Sequence, residues 1–176
     1  MADSFFNYLN FYQFISDMPH LSRFVEIGVY TGASVTFLAK RLMARGTPFE
    51  LYAVDLWDQV GQTDYDRTID PAIWKEFSER INREGVAGHI RILQKDSVSA
   101  AAEFQDKSVD FAFIDANHSY EHVVADIKAW LPKIRTPGGI LAGHDYGEPC
   151  GVKQAVDELL GDRCSLMGTC WYSFVR

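Results

Sequence analysis

The sequence has no long apolar run and no excess of positive charge. None of its apolar stretches approaches the roughly 20 residues that span a bilayer. Lysine and arginine number 17 against 24 aspartate and glutamate residues, and the net charge of −7 argues against a nucleic-acid backbone as the main partner. The N-terminal stretch MADSFFNYLNFYQF lacks the basic start and the continuous apolar segment of a signal peptide. We therefore expect neither nucleic acid nor a membrane as a partner.

Cysteine is also scarce. The three cysteines, Cys150, Cys164 and Cys170, do not form the CxxC spacing of a metal site. An odd number of cysteines without a secretion signal is typical of reduced thiols in the cytoplasm. The sequence therefore predicts a cytoplasmic protein whose cysteines serve in packing.

Two periodicities alternate along the 176 residues, which fit a single domain over 1–176. Short β-branched apolar runs alternate with segments whose apolar residues recur at helical spacing. This alternation predicts a Rossmann-like, doubly wound α/β fold with a mostly parallel, seven-stranded sheet and a C-terminal antiparallel hairpin around Gly168. The predicted strands cover residues 23–29, 49–56, 89–96, 109–116 and 138–145, the helices cover 32–46, 71–85, 98–104, 119–134 and 151–160, and the hairpin covers 164–175.

Titratable residues recur where the predicted strands end. Ligands of parallel sheets bind beyond the carboxyl ends of the strands, which meet at one edge. We therefore expect these residues to share a site, although aspartate at any one such position could instead cap the following helix. The residues are Glu26, Asp55, Asp96, Asp115 and the pair His144-Asp145.

The segment VEIGVYTGAS places Gly28 and Gly32 between the first strand and a helix N-terminus. Free N–H groups at such a helix start suit a phosphate or a carboxylate. The dinucleotide pattern G-x-G-x-x-G needs a glycine where Tyr30 stands, and this side chain would crowd a pyrophosphate. A carboxylate is a smaller guest, and Asp55 is placed to accept hydrogen bonds from two ribose hydroxyls. The spacing therefore disfavours a nicotinamide dinucleotide, whereas Asp55 suits any adenosine-type cofactor.

Four motifs in register resemble the class I S-adenosylmethionine-dependent methyltransferases, and in particular their small O-methyltransferase-like families. These motifs are FVEIGVYTGAS, YAVDLWD, FIDANHSYEHVVADI and GGILAGHDYG, and the resemblance covers roughly residues 20–176. It implies S-adenosylmethionine as the cofactor, with Asp115 near the sulfonium and with Tyr30 where the commoner loop has a third glycine. The other implied contacts are Glu26, Gly28 and Gly32 at the methionine end, Asp55 at the ribose, and Asp96 and Ser97 at the adenine.

The same resemblance suggests a metal and a base. In catechol-type and caffeoyl-coenzyme-A-type methyltransferases, the aspartate that ends strand four binds magnesium, and a lysine three residues later is the base. By analogy, Asp115, His144 and Asp145 would hold one divalent cation, either magnesium, manganese or another transition metal. His118 would be the base, because an imidazole can accept a proton at neutral pH. Two alternatives stay open: His118 and His144 could exchange roles, and many relatives with this fold need no metal.

The acceptor site would come from segments around the edge of the sheet. Residues 1–20 fit three uses: a helical cover over the acceptor pocket, part of the core, or the contact of a homodimer. Residues 57–70 are long for a loop between a strand and a helix, which predicts a lid. Aromatic candidates for the acceptor wall are Trp57, Tyr65, Tyr146 and Trp171.

The resemblance implies methyl transfer from S-adenosylmethionine to a hydroxyl of a small-molecule acceptor. One alternative is a protein that binds the adenosyl ligand without catalysis. Another is an NAD-dependent oxidoreductase, which the glycine spacing disfavours.

Overall fold

The computed structural model describes residues 6–57 and 70–176. The helices are α1 (Leu9–Ser16), α2 (Ala33–Arg45), α3 (Pro71–Arg83), α4 (Ser97–Ala101), α5 (Tyr120–Trp130) and α6 (Val152–Leu159). The strands are β1 (Arg23–Ile27), β2 (Glu50–Asp55), β3 (Ile90–Gln94), β4 (Phe111–Ile114), β5 (Ile140–Gly143), β6 (Ser165–Met167) and β7 (Cys170–Phe174). Among these described helices, none combines the length and the apolar character needed to cross a bilayer.

The strands form one seven-stranded sheet in the order β3-β2-β1-β4-β5-β7-β6. Neighbouring strands from β3 to β5 are parallel, whereas β7 pairs antiparallel with both β5 and β6. This arrangement confirms the predicted doubly wound fold and its C-terminal hairpin. The strand order reverses between β1 and β4, so the ligand crevice of such a fold lies at their carboxyl ends.

The pleat of the sheet divides the core into two layers. Phe24 of β1 and Phe111 and Phe113 of β4 face the layer that contains α1, α2 and α3. Val25 and Ile27 face the opposite layer, which contains α4, α5 and α6. Because side chains alternate along a strand, Glu26 falls on the α1 side. The same alternation places Asp115, which follows β4, and His144, which follows β5, on that side too.

Helix α1 packs into the core on this side of the sheet. Phe11, Tyr12 and Ile15 are buried, and Phe11 lies against Phe113 with ring centroids 5.8 Å apart. The N-terminal segment is therefore part of the core, and its tyrosines also reach the strand ends. Its predicted use as a homodimer contact stays a prediction.

Trp57 and Asp70, the first and last residues of the predicted lid, are hydrogen-bonded to each other. The Asp70 N–H donates to the Trp57 carbonyl at 2.6 Å, so the two ends of the segment meet. Asp70 then caps α3 by accepting from the Ala72 N–H at 2.8 Å. Trp57 is buried against Phe77 and belongs to the core. The rest of the predicted lid, 58–69, which includes Tyr65, lies outside the described residues.

Candidate functional site

The loop after β1 packs directly on the end of β4. Gly28 has φ +83°, and a Cβ atom on it would lie 2.0 Å from the carbonyl oxygen of Asp115. Gly32 has φ +80°, and a Cβ atom there would lie 2.7 Å from Cδ2 of Phe77. Both glycines are thus required by the packing of the protein itself, and any contact of theirs with a cofactor stays a prediction.

Asp55 holds the same loop by its backbone. Its Oδ2 accepts from the N–H groups of Val29 and Tyr30, each at 2.7 Å, and its Oδ1 accepts from the Trp57 N–H at 2.7 Å. Tyr30 has φ +51° and is 40% exposed, so its side chain points away from the core. Asp55 therefore orders the loop, and its predicted contact with ribose would be an additional role.

Glu26 lies beneath the loop and is almost fully buried. Tyr12 donates its hydroxyl to Oε2 at 2.9 Å, and the Ser34 hydroxyl donates to Oε1. Burial raises the pKa of Glu26 to about 8, even though both hydroxyl donors act in the opposite direction. Both carboxylate oxygens of Glu26 are thus bound to the protein, and its contact with the methionine end of a cofactor stays a prediction.

The predicted adenine residues begin α4. Asp96 caps this helix by accepting from the Ser99 N–H at 2.9 Å. The hydroxyl of Ser97 accepts from the indole N–H of Trp130 at 3.0 Å, and Asp126 of the same helix α5 is also buried. The side chain of Ser97 therefore serves the packing of α4 on α5. Burial raises the pKa of Asp126 to about 6, although Ser97 acts in the opposite direction.

Replacing Asp126 by asparagine should stabilise the protein at neutral pH. An aspartate in an unfolded chain titrates near pH 3.9. The folded protein therefore holds this proton more tightly, and stability falls as the pH rises from about 4 to about 6. Asp126→Asn should raise the free energy of unfolding by about 2 kcal/mol near pH 7.5 and leave it nearly unchanged near pH 4. Urea titrations at both pH values measure this difference.

The matched control is Asp106→Asn, because Asp106 is exposed and pairs with Lys133 on the surface. We expect this change to alter stability by well under about 1 kcal/mol at either pH. Equal destabilisation by Asp126→Asn at both pH values would contradict the assigned cause.

Two carboxylates and two imidazoles meet where β4 and β5 end. One ligand atom from each of Asp115, His144 and Asp145 lies within 4.8 Å of the others. His144 Nδ1 is 3.0 Å from Asp145 Oδ1 and 3.7 Å from Asp115 Oδ1. His118 Nε2 is 3.1 Å from Asp145 Oδ2 and 3.4 Å from Asp115 Oδ1. The structure thus brings together the three predicted metal ligands and the predicted base. Carboxylate oxygens with an imidazole nitrogen are donors that fit a divalent cation.

The charges of this cluster are mutually stabilising. Burial alone would lower the pKa of His144, but the carboxylates of Asp115 and Asp145 outweigh it and raise that pKa to about 9. The hydrogen bond to Asp115 likewise raises the pKa of His118. Burial would raise the pKa of Asp115, yet the two histidines hold it below its usual range. A cation that binds His144 between these carboxylates must therefore displace a proton from that imidazole.

Several residues of the site were not singled out by the sequence motifs. The hydroxyl of Tyr8 donates to Asp115 Oδ2 at 2.9 Å. Burial, together with the charge of Asp115, raises the pKa of Tyr8 well above its usual value, so its hydroxyl keeps its proton and stays a donor. Asn7 and Thr169 contact His144, at 3.0 Å and 2.7 Å. The four-residue spacing of Tyr8 and Tyr12 is the one signal in the sequence that could have indicated a shared helical face.

Two of the predicted aromatic wall residues, Trp57 and Trp171, are buried in the core. Trp171 is buried in the core against Gly143, so it is a packing residue. Tyr146 is partly exposed, and its hydroxyl donates to Asp157 at 2.6 Å. The Nζ atom of Lys153 lies 5.1 Å from the centroid of the Tyr146 ring. Of the three predicted wall residues that the structure describes, Tyr146 alone is accessible, and it directly follows Asp145 in the chain.

The sequence matches known proteins over most of its length. A family model described as "Methyltransferase domain" matches residues 25–146. Among curated proteins, the uncharacterized protein y4gI of Sinorhizobium fredii is 27% identical over 125 residues, which make up 70% of this chain and 13% of that protein. The chain thus spans only a small part of that relative.

Solved structures share the fold across nearly the whole chain. A protein from Klebsiella pneumoniae proposed to be an O-methyltransferase has a TM-score of 0.71 at 18% identity, with 99% of this chain and 82% of that chain covered. PaMTH1 of Podospora anserina, solved with SAH, has a TM-score of 0.68 at 16% identity and coverages of 96% and 78%. TomG of Streptomyces achromogenes, an O-methyltransferase solved with SAM, has a TM-score of 0.64 at 16% identity and coverages of 96% and 79%. At these identities the likeness concerns the fold.

Proposed function

Since the chain belongs to the family of methyltransferase domains, we propose that it is an enzyme that transfers a methyl group from S-adenosylmethionine to a hydroxyl of a small molecule. The observation that carries this proposal is the contact between the two halves of the site. The glycine loop packs on the backbone of Asp115, and Asp115 belongs to the carboxylate and imidazole cluster. A cofactor on the loop and an acceptor at the cluster would therefore be neighbours.

The loop and the strand ends supply the groups that such a cofactor needs. S-adenosylmethionine, when bound, supplies a methyl group on a sulfonium, from which an oxygen nucleophile can take it. Gly32 is the N-cap of α2 and has no side chain to cap its first turn, which suits the methionine carboxylate. Asp55 would hold the ribose, and Asp96 with Ser97 would adjoin the adenine. The structures of TomG with SAM and PaMTH1 with SAH support this choice of cofactor.

A divalent cation is the second element of the proposal. Asp115, His144 and Asp145 would hold it, because they supply two carboxylates and an imidazole within one small sphere. Such a cation lowers the pKa of a bound hydroxyl. The imidazole shifts the preference from magnesium toward manganese, iron or zinc.

His118 would take the proton of the acceptor hydroxyl. Its Nε2 contacts both carboxylates, so the positive charge that forms on protonation is stabilised where it arises. Tyr8 would keep Asp115 in place by its hydrogen bond to Oδ2. The partly exposed Tyr146 would line the acceptor side.

The three cysteines are free thiols, and this supports a location in the cytoplasm, where thiols are kept reduced.

Ligand binding tests this function most directly. The purified protein should bind S-adenosylmethionine with a dissociation constant on the order of micromolar, and it should bind NAD at least about 100-fold more weakly. Isothermal titration calorimetry measures both. Methyl transfer from labelled S-adenosylmethionine to a panel of catechols, sugars, polyketides and peptides then identifies the acceptor.

Three outcomes separate the candidate functions. Tight binding with transfer to one acceptor supports the proposal. Tight binding without transfer to any acceptor, with or without added manganese, would instead indicate a non-catalytic binding protein. Equal or tighter binding of NAD would indicate an oxidoreductase and end the proposal.

A further inference from the structure

The Nε2 atom of His144, which faces away from the two carboxylates, contacts two segments that are distant in sequence. Its Nε2 lies 2.7 Å from Thr169 Oγ1, in the turn between β6 and β7, and 3.0 Å from Asn7 Oδ1, just before α1. Its Nδ1 faces Asp145 Oδ1 at 3.0 Å. The ring is buried against that of Tyr8, with centroids 4.5 Å apart. Contacts to both ring nitrogens and to the ring face therefore fix the orientation of this imidazole.

The partners of Nε2 decide which nitrogen carries the proton in the neutral ring. The Oδ1 atom of an asparagine amide only accepts hydrogen bonds, so Nε2 must donate to Asn7. The lone pair of the neutral imidazole is then on Nδ1, and it points at the carboxylates of Asp115 and Asp145. Histidines that bind metals have this arrangement, because the outer N–H bond fixes both the tautomer and the ring.

The turn that carries Thr169 is attached to the site by its backbone. The Tyr146 N–H donates to the Thr169 carbonyl at 3.1 Å, which ties the turn to the residue after Asp145. Gly168 enters this turn with φ +62°, a conformation that glycine adopts without strain. The backbone bond and the conformation of Gly168 therefore hold the turn where the Thr169 hydroxyl contacts His144.

We propose that Asn7 and Thr169 are positioning residues of a metal centre, which hold His144 in the tautomer whose Nδ1 binds a transition-metal ion between Asp115 and Asp145. This inference rests on the metal site of the proposed function. It assigns a chemical role to the N-terminal segment and to the C-terminal hairpin, which enclose the centre from opposite ends of the chain.

Metal affinity of the full chain tests this role without any measurement of methyl transfer. Mn²⁺ and Co²⁺ are titrated by calorimetry, and the visible d–d absorption of Co²⁺ reports its coordination. Asn7→Leu and Thr169→Val keep the side-chain size but remove the acceptors, and each should weaken metal binding by about 10–100-fold. Asn7→Asp and Thr169→Ser keep an oxygen acceptor, so both should bind the ions within about threefold of the wild-type affinity or more tightly.

The matched control is Asn10→Leu, since Asn10 is exposed on the same segment three residues further on. Its metal affinity should equal that of the wild type. Urea titrations check that all variants are folded at the working temperature. Unchanged affinity in Asn7→Leu and Thr169→Val would overturn the proposal, and so would an Asn7→Asp variant as weak as Asn7→Leu. A wild-type protein that binds neither ion would also overturn it, whereas the binding of S-adenosylmethionine would still decide the proposed function separately.

Discussion

Methyl transfer by an Asp115→Asn variant is expected to be slower by about three orders of magnitude in kcat/KM. Asp115 is the residue at which the parts of the site join. Its backbone supports the glycine loop, and its carboxylate contacts His118, His144 and the hydroxyl of Tyr8. Asparagine has nearly the same shape and keeps an oxygen that can accept from Tyr8. The substitution therefore removes the negative charge while it leaves the packing in place.

Two effects add up in this expectation. An amide is a weak ligand for a hard divalent cation, so the affinity for Mn²⁺ should fall together with the rate. A neutral residue also no longer stabilises positive charge on His118 as it takes a proton. Initial rates at saturating S-adenosylmethionine measure the combined loss from weaker Mn²⁺ binding and from the less stabilised His118. Calorimetric titration with Mn²⁺ measures the loss of metal affinity by itself.

The control for this prediction is again Asp106→Asn, a change of the same chemistry at an exposed carboxylate that pairs with Lys133 and precedes β4, whereas Asp115 follows that strand. It should leave both the rate and the Mn²⁺ affinity unchanged. An Asp115→Asn variant with more than about a tenth of the wild-type rate would show that the cluster is not part of the chemistry.

Gly28→Ala is expected to lower the free energy of unfolding by about 2–5 kcal/mol. The residue has φ +83°, which costs an alanine roughly 1–2 kcal/mol. The new methyl group would also lie 2.0 Å from the Asp115 carbonyl oxygen and 2.7 Å from Cα of Ala116. Backbone atoms cannot turn aside as a side chain can, so the loop and the end of β4 must separate, and overpacking of this kind costs about 1–3 kcal/mol more.

Urea unfolding of the purified variant measures this loss. Gly88→Ala serves as the control, because no atom of the described residues, apart from the chain neighbours of the glycine, lies within 4 Å of a Cβ at that position. Its stability should stay within about 1 kcal/mol of the wild type. If Gly28→Ala were as stable as Gly88→Ala, the close contact between the glycine loop and Asp115 would be wrong, and with it the argument that cofactor and acceptor sites adjoin.

The fold could be predicted because the parallel strands are buried on both faces and therefore appear as short, nearly continuous apolar runs. Each strand of the sheet overlaps its predicted range, from Arg23–Ile27 to Ile140–Gly143. The place of the site could be predicted for a related reason. Parallel strands all end at the same edge, so Asp115 and Asp145 had to meet once β4 and β5 were neighbours.

What these side chains contact could not be predicted, because their partners come from segments without a motif. The sequence placed Asp55 where it could accept from a ribose, and it did not show that the carboxylate also binds the N–H groups of Val29 and Tyr30. Ser97 was assigned to the adenine by analogy, and the sequence did not show that its hydroxyl also accepts from the indole N–H of Trp130. In both cases a backbone or side-chain donor from a neighbouring element supplies the contact, and sequence spacing does not encode such distances.

The sequence by itself determined the order of strands and helices, the edge at which the titratable residues collect and the family to which the chain belongs. The tertiary structure alone decided that the first and last segments of the chain complete the cluster, through Asn7, Tyr8 and Thr169. The physical reason is that local periodicity is fixed by each segment's own side chains. A contact across 137 residues, such as that between Asn7 and His144, depends on how the helices and strands pack, and this is settled only when the whole sheet has formed.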